Sequence, residues 1–141
     1  MNIMRFTARQ FGFCAALTIV LVAVGCSQED YGDLGKVTGT VTLDGKPYPN
    51  AVVRFSPEKG RPSTAVTDDT GSYELTYIRT TKGAEPGEHR VAISTEPPTV
   101  DDNYKGPKFK DPIPVRYNRR SELTRTVELG PNEFDFELKS K

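Results

Sequence analysis

The sequence predicts an all-β protein, a two-sheet antiparallel sandwich of about seven strands. Short segments alternate apolar and polar residues with a period of two, which is typical of half-buried strands. Turns rich in glycine, proline, aspartate and asparagine separate these segments at short intervals, as in sandwich folds. No stretch after the N-terminal region has convincing helical periodicity. About a hundred residues remain for the domain, enough to bury a core without further support.

The alternation assigns an inward face to each predicted strand. In chain order the inward residues are Val37, Val41 and Leu43, then Ala51, Val53 and Phe55, then Tyr73, Leu75 and Tyr77, then Val91 and Ile93, then Ile113, Val115 and Tyr117, then Leu123, Val127 and Leu129, and finally Phe134, Phe136 and Leu138. A short strand is also predicted at 63–67. Arg125 has the inward parity of its strand, and we expect its stem to lie along apolar surface with the guanidinium at an edge.

Turn chemistry separates the predicted strands. After the first strand, Gly45 supplies a backbone conformation with positive φ, and Pro47 and Pro49 stop strand pairing. A second turn lies at 83–89, and residues 130–132 form a turn before the last strand. The segment RYNRRS, 116–121, is expected to turn the chain between two strands. Residues 96–112 are rich in proline, aspartate and lysine, so they cannot form a central strand.

The first 25 residues are predicted to be a secretory signal peptide. Arg5 and Arg9 precede an uncharged run at 11–25, which is the usual order of a signal sequence. A transmembrane anchor is the alternative, but the run is short for a span of about 20 residues.

The signal ends in LVAVGC, which resembles the lipobox of bacterial lipoproteins. The resemblance implies that Cys26 becomes the first residue of the mature chain and carries lipid, with plain secretion as the alternative. More than one acyl chain, such as palmitate, holds a protein stably at a membrane. The predicted organisation is therefore a lipoprotein signal peptide at 1–25, a lipidated cysteine and tether at 26–35, and a sandwich domain at 36–141. The predicted location is a bacterial cell envelope, on the periplasmic or cell-surface face.

Charge and cysteine content limit the function classes. Without Arg5 and Arg9, 17 basic residues remain against 19 acidic ones, and no basic face is concentrated enough to indicate nucleic-acid binding. The sequence has two cysteines, Cys14 in the signal and Cys26, so the mature domain has no disulfide and must be stabilised by packing. No cofactor and no metal site are predicted.

Three further segments resemble a known family. GKVTGTVTLDGKPYPNAVVRFSP, TDDTGSYELTY and PGEHRVAIST are similar, in order and spacing, to the carboxypeptidase regulatory-like domains, a branch of the transthyretin-like (prealbumin-like) sandwiches. The C-terminal part looks like the closing segment of small bacterial lipoproteins that carry this domain alone. The resemblance implies a seven-stranded Greek-key sandwich. It implies no activity, because in this family the domain usually accompanies another protein or domain.

The corner TDDTGSYELTY contains adjacent acids that could hold a metal ion, perform acid–base chemistry or only turn the chain. A calcium site needs about six oxygen ligands, several from carboxylates, and this corner supplies two acids without a third at a ligand spacing. The resemblance implies a structural corner, in which Asp68 or Asp69 bonds backbone N–H groups, Gly71 takes positive φ and Tyr73 starts the next strand facing the core.

Enzymatic readings have little support in the sequence. His89 is the single histidine, so a zinc site with two histidines on a helix is excluded. No G-x-S-x-G elbow provides a serine for it to activate, and we interpret His89 as an exposed residue at a strand edge. Transthyretin-like hydrolases use several histidines and a distinctive C-terminus that ELKSK lacks. A Lys36–Asn132 cross-link is a further hypothesis, based on position alone.

The 96–112 loop is the candidate binding site. Long loops in compact domains are often functional, and Tyr104, Lys105, Lys108 and Phe109 offer aromatic and cationic contacts. A flexible surface excursion is the alternative. The sequence therefore predicts a non-catalytic, lipid-anchored binding or structural module at the cell envelope. Its partner would be an envelope protein, a peptide or a glycan, and its membrane contact would be the lipid at Cys26.

Overall fold

Eleven strands and one short 3-10 helix form the part of the chain that the computed structural model describes, residues 32–141. The strands are β1 (Gly35–Leu43), β2 (Lys46–Pro47), β3 (Ala51–Pro57), β4 (Ser63–Val66), β5 (Ser72–Glu74), β6 (Thr76–Ile78), β7 (Thr81–Lys82), β8 (Gly87–Thr95), β9 (Thr124–Val127), β10 (Gly130–Glu133) and β11 (Phe136–Leu138). The 3-10 helix is Val115–Tyr117. The predicted signal peptide and Cys26 lie outside the described residues.

The strands form two sheets. The first has β1 at its centre, with β10 and β11 on one side and β5 and β2 on the other. The second has the order β7-β6-β4-β3-β8-β9, and its pairings are antiparallel. The predicted all-β sandwich is confirmed. β1, however, pairs in parallel with both β10 and β11, and the strands outnumber the seven expected.

The core lies between the sheets and contains most of the predicted inward residues. Fully or almost fully buried side chains come from both layers: Val37, Val41, Val53, Phe55, Tyr73, Leu75, Val91, Ile93, Ile113, Val127, Phe136 and Leu138. The ring of Phe55 in the second sheet lies 6.3 Å from that of Phe136 in the first. Burial of such apolar surface is the dominant stabilising term in folding.

Two predicted strands differ from the structure for physical reasons. The segment 113–117 is not a strand, because Pro112 and Pro114 lack the N–H groups that a sheet ladder needs; the chain forms a 3-10 helix, and Val115 is 44% exposed. The predicted strand at 72–78 breaks at Leu75. Its first half pairs with β1 in one sheet, and its second half pairs with β4 in the other.

The prediction that Leu129 points inward is wrong, whereas Arg125 does lie partly inward. Leu129 follows the end of β9 and is 60% exposed. Arg125 is half-buried, and its guanidinium lies 4.8 Å from the centre of the Phe136 ring. Cations over aromatic faces are attracted by the ring quadrupole. The expected path of the Arg125 stem along apolar surface therefore ends in a cation–π contact across the sandwich.

The sandwich has two ends that matter for the candidate site. At the Gly35 end, the chain enters β1, and Gly35 pairs with Gly130 and exchanges backbone bonds with Ala84. At the Thr95 end, β8 finishes beside Tyr48, whose hydroxyl lies 2.8 Å from the Thr95 hydroxyl. β1 runs the length between them, a distance of about 30 Å for nine extended residues. The long 96–112 loop leaves from the Thr95 end.

Candidate functional site

The Asp68 corner is a closed hydrogen-bonded turn. Asp68 Oδ1 accepts from the Thr70 amide at 2.8 Å, the Thr70 hydroxyl at 2.7 Å and the Ser72 amide at 3.0 Å. These bonds favour the charged form and hold the pKa of the Asp68 carboxyl below its usual value, with the Thr70 hydroxyl as the largest cause. The arrangement stabilises the turn. Asp69 is exposed beside it.

Gly71 and Tyr73 join this corner to the first sheet. Gly71 has φ of +76°, and a Cβ atom there would lie 2.5 Å from the Val41 carbonyl oxygen. Only glycine fits both the backbone conformation and the close approach. Tyr73 is buried, and its hydroxyl donates to the Phe134 carbonyl at 2.6 Å. Burial raises the pKa of the Tyr73 hydroxyl, which keeps it a neutral donor.

His89 is buried in the core, so its interpretation as an exposed edge residue is wrong. Its strand, β8, is flanked by β3 and β9, and the side chain is 0% exposed. Nε2 lies 2.7 Å from the Glu85 carbonyl, and the imidazole packs 5.9 Å from the Phe55 ring. The signal was available in the sequence, because residue 89 has the same strand parity as Val91 and Ile93.

Lys36 and Asn132 are neighbours, but not through the atoms that a cross-link would join. The Asn132 side-chain amide donates to the Lys36, Glu128 and Gly130 carbonyls at 3.2, 2.8 and 3.1 Å. The Lys36 ammonium lies 3.4 Å from Glu74 on the surface. Asn132 thus ties β10 to β1 by hydrogen bonds.

The predicted binding residues separate into two places. Lys108 and Phe109 line a groove on the outer face of β8, and Tyr104 and Lys105 lie outside its lining. The Tyr104 ring covers Gly106, where a Cβ atom would meet the ring within 2.3 Å. Asp101 shapes this part of the loop, since its Oδ1 accepts from the Asn103 amide at 2.7 Å.

The groove has an apolar floor and walls with a basic rim. Ala92 and Ser94 on the outer face of β8 are small, which leaves room between the sheet and the loop. Phe109 and Val115, 45% and 44% exposed, form apolar walls. Its volume of about 900 Å³ is typical of ligand sites. The rim cations are Lys108, Lys110 and Arg119.

Asp111 holds the groove in place, and sequence reasoning missed it. Its carboxylate accepts from the Thr95 hydroxyl at 2.8 Å, the Thr95 amide at 3.1 Å and the Ile113 amide at 2.9 Å. The Asn118 side-chain amide approaches it at 3.4 Å. One carboxylate thus joins the end of β8, the loop and the 3-10 helix. An aspartate that accepts from the amide two residues later is a common turn signal, and Asp111 before Pro112 could have been found by it.

Arg116 serves the C-terminal tail rather than the groove. Its guanidinium donates to the Lys139 carbonyl at 2.6 Å and the Lys141 carbonyl at 2.9 Å, and it lies 4.9 Å from the Tyr117 ring centre. The hydrogen bond from Arg116 lowers the pKa of the Tyr117 hydroxyl. In the segment 116–121, predicted to turn the chain between two strands, Arg116 and Tyr117 belong to the 3-10 helix that borders the groove, and residues 118–120 form a turn.

Comparisons with known proteins add a structural likeness. No family model matches the sequence, and no curated protein matches it. A DUF3823 family protein from Parabacteroides merdae ATCC 43184 is similar in structure, with a TM-score of 0.40 and 17% sequence identity. The likeness covers 76% of this chain and 46% of that chain, so the chain spans less than half the length of that protein. Among residues 32–141, no helix is long and apolar enough to cross a membrane.

Proposed function

We propose that this chain is a non-catalytic, lipid-anchored binding module of the cell envelope, with a carboxypeptidase regulatory-like sandwich that presents the groove at the Thr95 end. The observation that supports it best is the groove itself. Phe109 and Val115 are exposed next to Lys108 and Arg119, and Asp111 ties the loop to β8. Exposed apolar side chains rimmed by polar groups are typical of interaction sites.

The position of the chain's entrance supports an anchored arrangement. The described chain enters the sandwich at Gly35, whereas the groove lies at the opposite, Thr95 end. A lipid on Cys26 would therefore be joined to the end remote from the groove. Eight residues, 27–34, lie between Cys26 and Gly35, and the nine steps from one Cα to the other reach at most about 32 Å. An anchor at the Gly35 end would therefore leave the groove, at the other end of the sandwich, free for a partner.

A hydrolase role has no comparable support. His89 is the single histidine of the sequence, and solvent does not reach its imidazole in this structure. A general base must lie within hydrogen-bond reach of the proton that it removes. A substrate could approach this imidazole only after the core around Phe55 had opened.

The anchor and the groove are tested separately. Growth with a radioactive fatty acid should label the wild-type protein and leave Cys26→Ala unlabelled; an unlabelled wild type would refute the anchor.

For the groove, a photo-crosslinking residue placed at Phe109 should form an adduct in intact envelopes. The same residue at Leu129, an exposed apolar position at the Gly35 end, is the matched control. Equal adducts at both positions, or none at Phe109, would refute the binding role.

A further inference from the structure

We propose that the groove takes an acidic peptide segment that carries a leucine or phenylalanine side chain. This inference rests on the proposed function and specifies its ligand. The side chain would lie on Ala92 and Ser94 between Phe109 and Val115, and the carboxylates of the peptide would face Lys108, Lys110 and Arg119.

Charge gives the first argument. Between residues 105 and 120 the chain has six Lys or Arg residues and one acidic residue, Asp111, although the whole sequence is neutral. Asp111 points its carboxylate at Thr95, Ile113 and Asn118, so its charge serves the loop's own hydrogen bonds. Within residues 32–141 the ion pairs are Lys36–Glu74 and Lys82–Glu74, both made by Glu74 of β5, and neither includes a rim cation of the groove. Complementary charge guides association and selects among partners.

The lining gives the second argument and favours a peptide over a glycan. Pro97, Phe109, Pro114 and Val115 present mostly carbon atoms to the groove. Sugar hydroxyls placed against such walls would lose their hydrogen bonds to water without replacement. An aliphatic or aromatic side chain has no hydrogen bonds to lose there, and its binding removes apolar surface from solvent. Acidic groups at the rim can remain partly hydrated while they face the cations.

The test measures fluorescence anisotropy with the full-length lipidated protein in non-ionic detergent micelles. The probe is a fluorescein-labelled Asp-Glu-Leu-Phe-Glu-Asp peptide. Three ligands are compared with it. Asn-Gln-Leu-Phe-Gln-Asn lacks the charges, Asp-Glu-Ser-Ser-Glu-Asp lacks the apolar residues, and oligogalacturonate is an anionic glycan. We expect the first peptide to bind about tenfold more tightly than each of the others, and to weaken as salt is added.

Matched variants locate the binding. Phe109→Ser, and Lys108→Glu combined with Arg119→Glu, should each weaken the first peptide about tenfold or more. Leu129→Ser makes the same kind of apolar-to-polar change, and Lys59→Glu reverses one charge, at exposed positions outside the groove; both should leave affinity unchanged. All five substituted positions are exposed, so unaltered thermal unfolding will show that the fold is intact.

The outcomes separate this inference from the proposed function. Equal binding of the charged and uncharged peptides, preferential binding of oligogalacturonate, or equal losses in groove and control variants would overturn the acidic-peptide assignment. If the peptide fails while Phe109 still forms adducts that Leu129 does not, the groove binds another ligand and only this inference falls. Failure of both experiments removes both proposals.

Discussion

Asp68 stabilises its corner through hydrogen bonds that a protonated carboxyl cannot make as well. Three donors converge on a single oxygen, two of them from Thr70 and one from Ser72. Hydrogen bonds to a charged acceptor are stronger than those to a neutral one. The pKa of this carboxyl in the folded protein is therefore below the ordinary value of 3.8.

The lowered pKa predicts a pH dependence of stability with a definite sign. Between the folded and unfolded pKa values the unfolded chain binds more protons, so the contribution is present above about pH 4 and is lost as pH falls through the folded value. In Asp68→Asn the urea midpoint should depend less steeply on pH between about pH 5 and about pH 2. Asp69→Asn removes the same charge one residue away and should keep the wild-type slope. Identical slopes for wild type and Asp68→Asn would contradict the prediction.

His89 shows how parity and residue type can give opposite predictions. Its place in the alternation indicates burial, whereas its polarity suggested exposure. Parity was correct: the Glu85 carbonyl satisfies Nε2, while Nδ1 is buried without a hydrogen-bond partner among the described residues. Sequence alone could not show that this carbonyl would lie 2.7 Å away.

Replacement of His89 should destabilise the core. His89→Ala removes a fully buried ring beside Phe55 and leaves the Glu85 carbonyl without that donor, so we expect a loss of about 2–4 kcal/mol in the free energy of unfolding. Arg90→Ala, at the next and exposed position, should change it by less than about 0.5 kcal/mol. Urea unfolding measures both. Equally small losses of unfolding free energy in His89→Ala and Arg90→Ala would contradict the burial of His89.

At the scale of elements, alternation predicts strands well and breaks poorly. β1, β3 and β8 bury the residues that the period of two assigns inward. Leu75 is also buried, but the chain changes sheets at this residue, and alternation carries no information about which sheet a strand joins. The prolines at 112 and 114 lack N–H groups, which argues against a strand at 113–117. The spacing of the apolar residues argues for one, and the prolines were the better guide.

Two glycines distinguish backbone strain from steric contact. Gly45 and Gly71 both have positive φ, +81° and +76°, but only at Gly71 would a Cβ atom lie within 4 Å of other atoms. Gly45→Ala should therefore cost about 1 kcal/mol, the strain alone. Gly71→Ala should cost about 3 kcal/mol or more, because the Val41 carbonyl is part of the backbone and cannot move freely. Denaturant midpoints test the difference, and equal losses would show that the corner relaxes.

Asp111 should control the order of the loop and the 3-10 helix together. Asp111→Ala removes the acceptor for Thr95 and Ile113, and we expect a loss of about 1–3 kcal/mol with faster amide exchange across residues 96–119. Asp102→Ala, an exposed position in the same loop, should have no such effect. Hydrogen exchange resolved by residue provides the measurement. Unchanged protection at Ile113 in Asp111→Ala would contradict this role.

At the scale of the whole molecule, the first strand and the last strands of residues 32–141 pair in one sheet. Thr40 in β1 donates two hydrogen bonds to Asp135, 95 positions later, between β10 and β11. Alternation could not predict this pairing, because it specifies faces and not partners. The same limit applies to the groove: Lys108 and Phe109 could be proposed from loop composition, whereas Val115 and Arg119 reach the site only through the 3-10 helix that proline imposes.

The position of β1 makes the last strands essential to cooperative folding. Removal of residues 130–141 deletes both parallel partners of β1 and takes Phe136 and Leu138 from the core. The Phe55 ring then loses two aromatic neighbours, Phe134 at 5.9 Å and Phe136 at 6.3 Å. We expect the truncated protein to lose its near-ultraviolet dichroism and its sharp thermal transition, since the remaining sheet could not cover the face of the other.

Removal of Lys141 alone is the control for this truncation. It deletes one of the two carbonyls that bind Arg116 and leaves both strands in place, so the transition should remain sharp with a shift of a few degrees at most. Loop-closure entropy must be overcome before β1 can meet β11, so wild-type folding should take milliseconds to seconds. If the protein without residues 130–141 still unfolds in one sharp step, β1 does not depend on its parallel partners, and the sandwich is held by the second sheet alone.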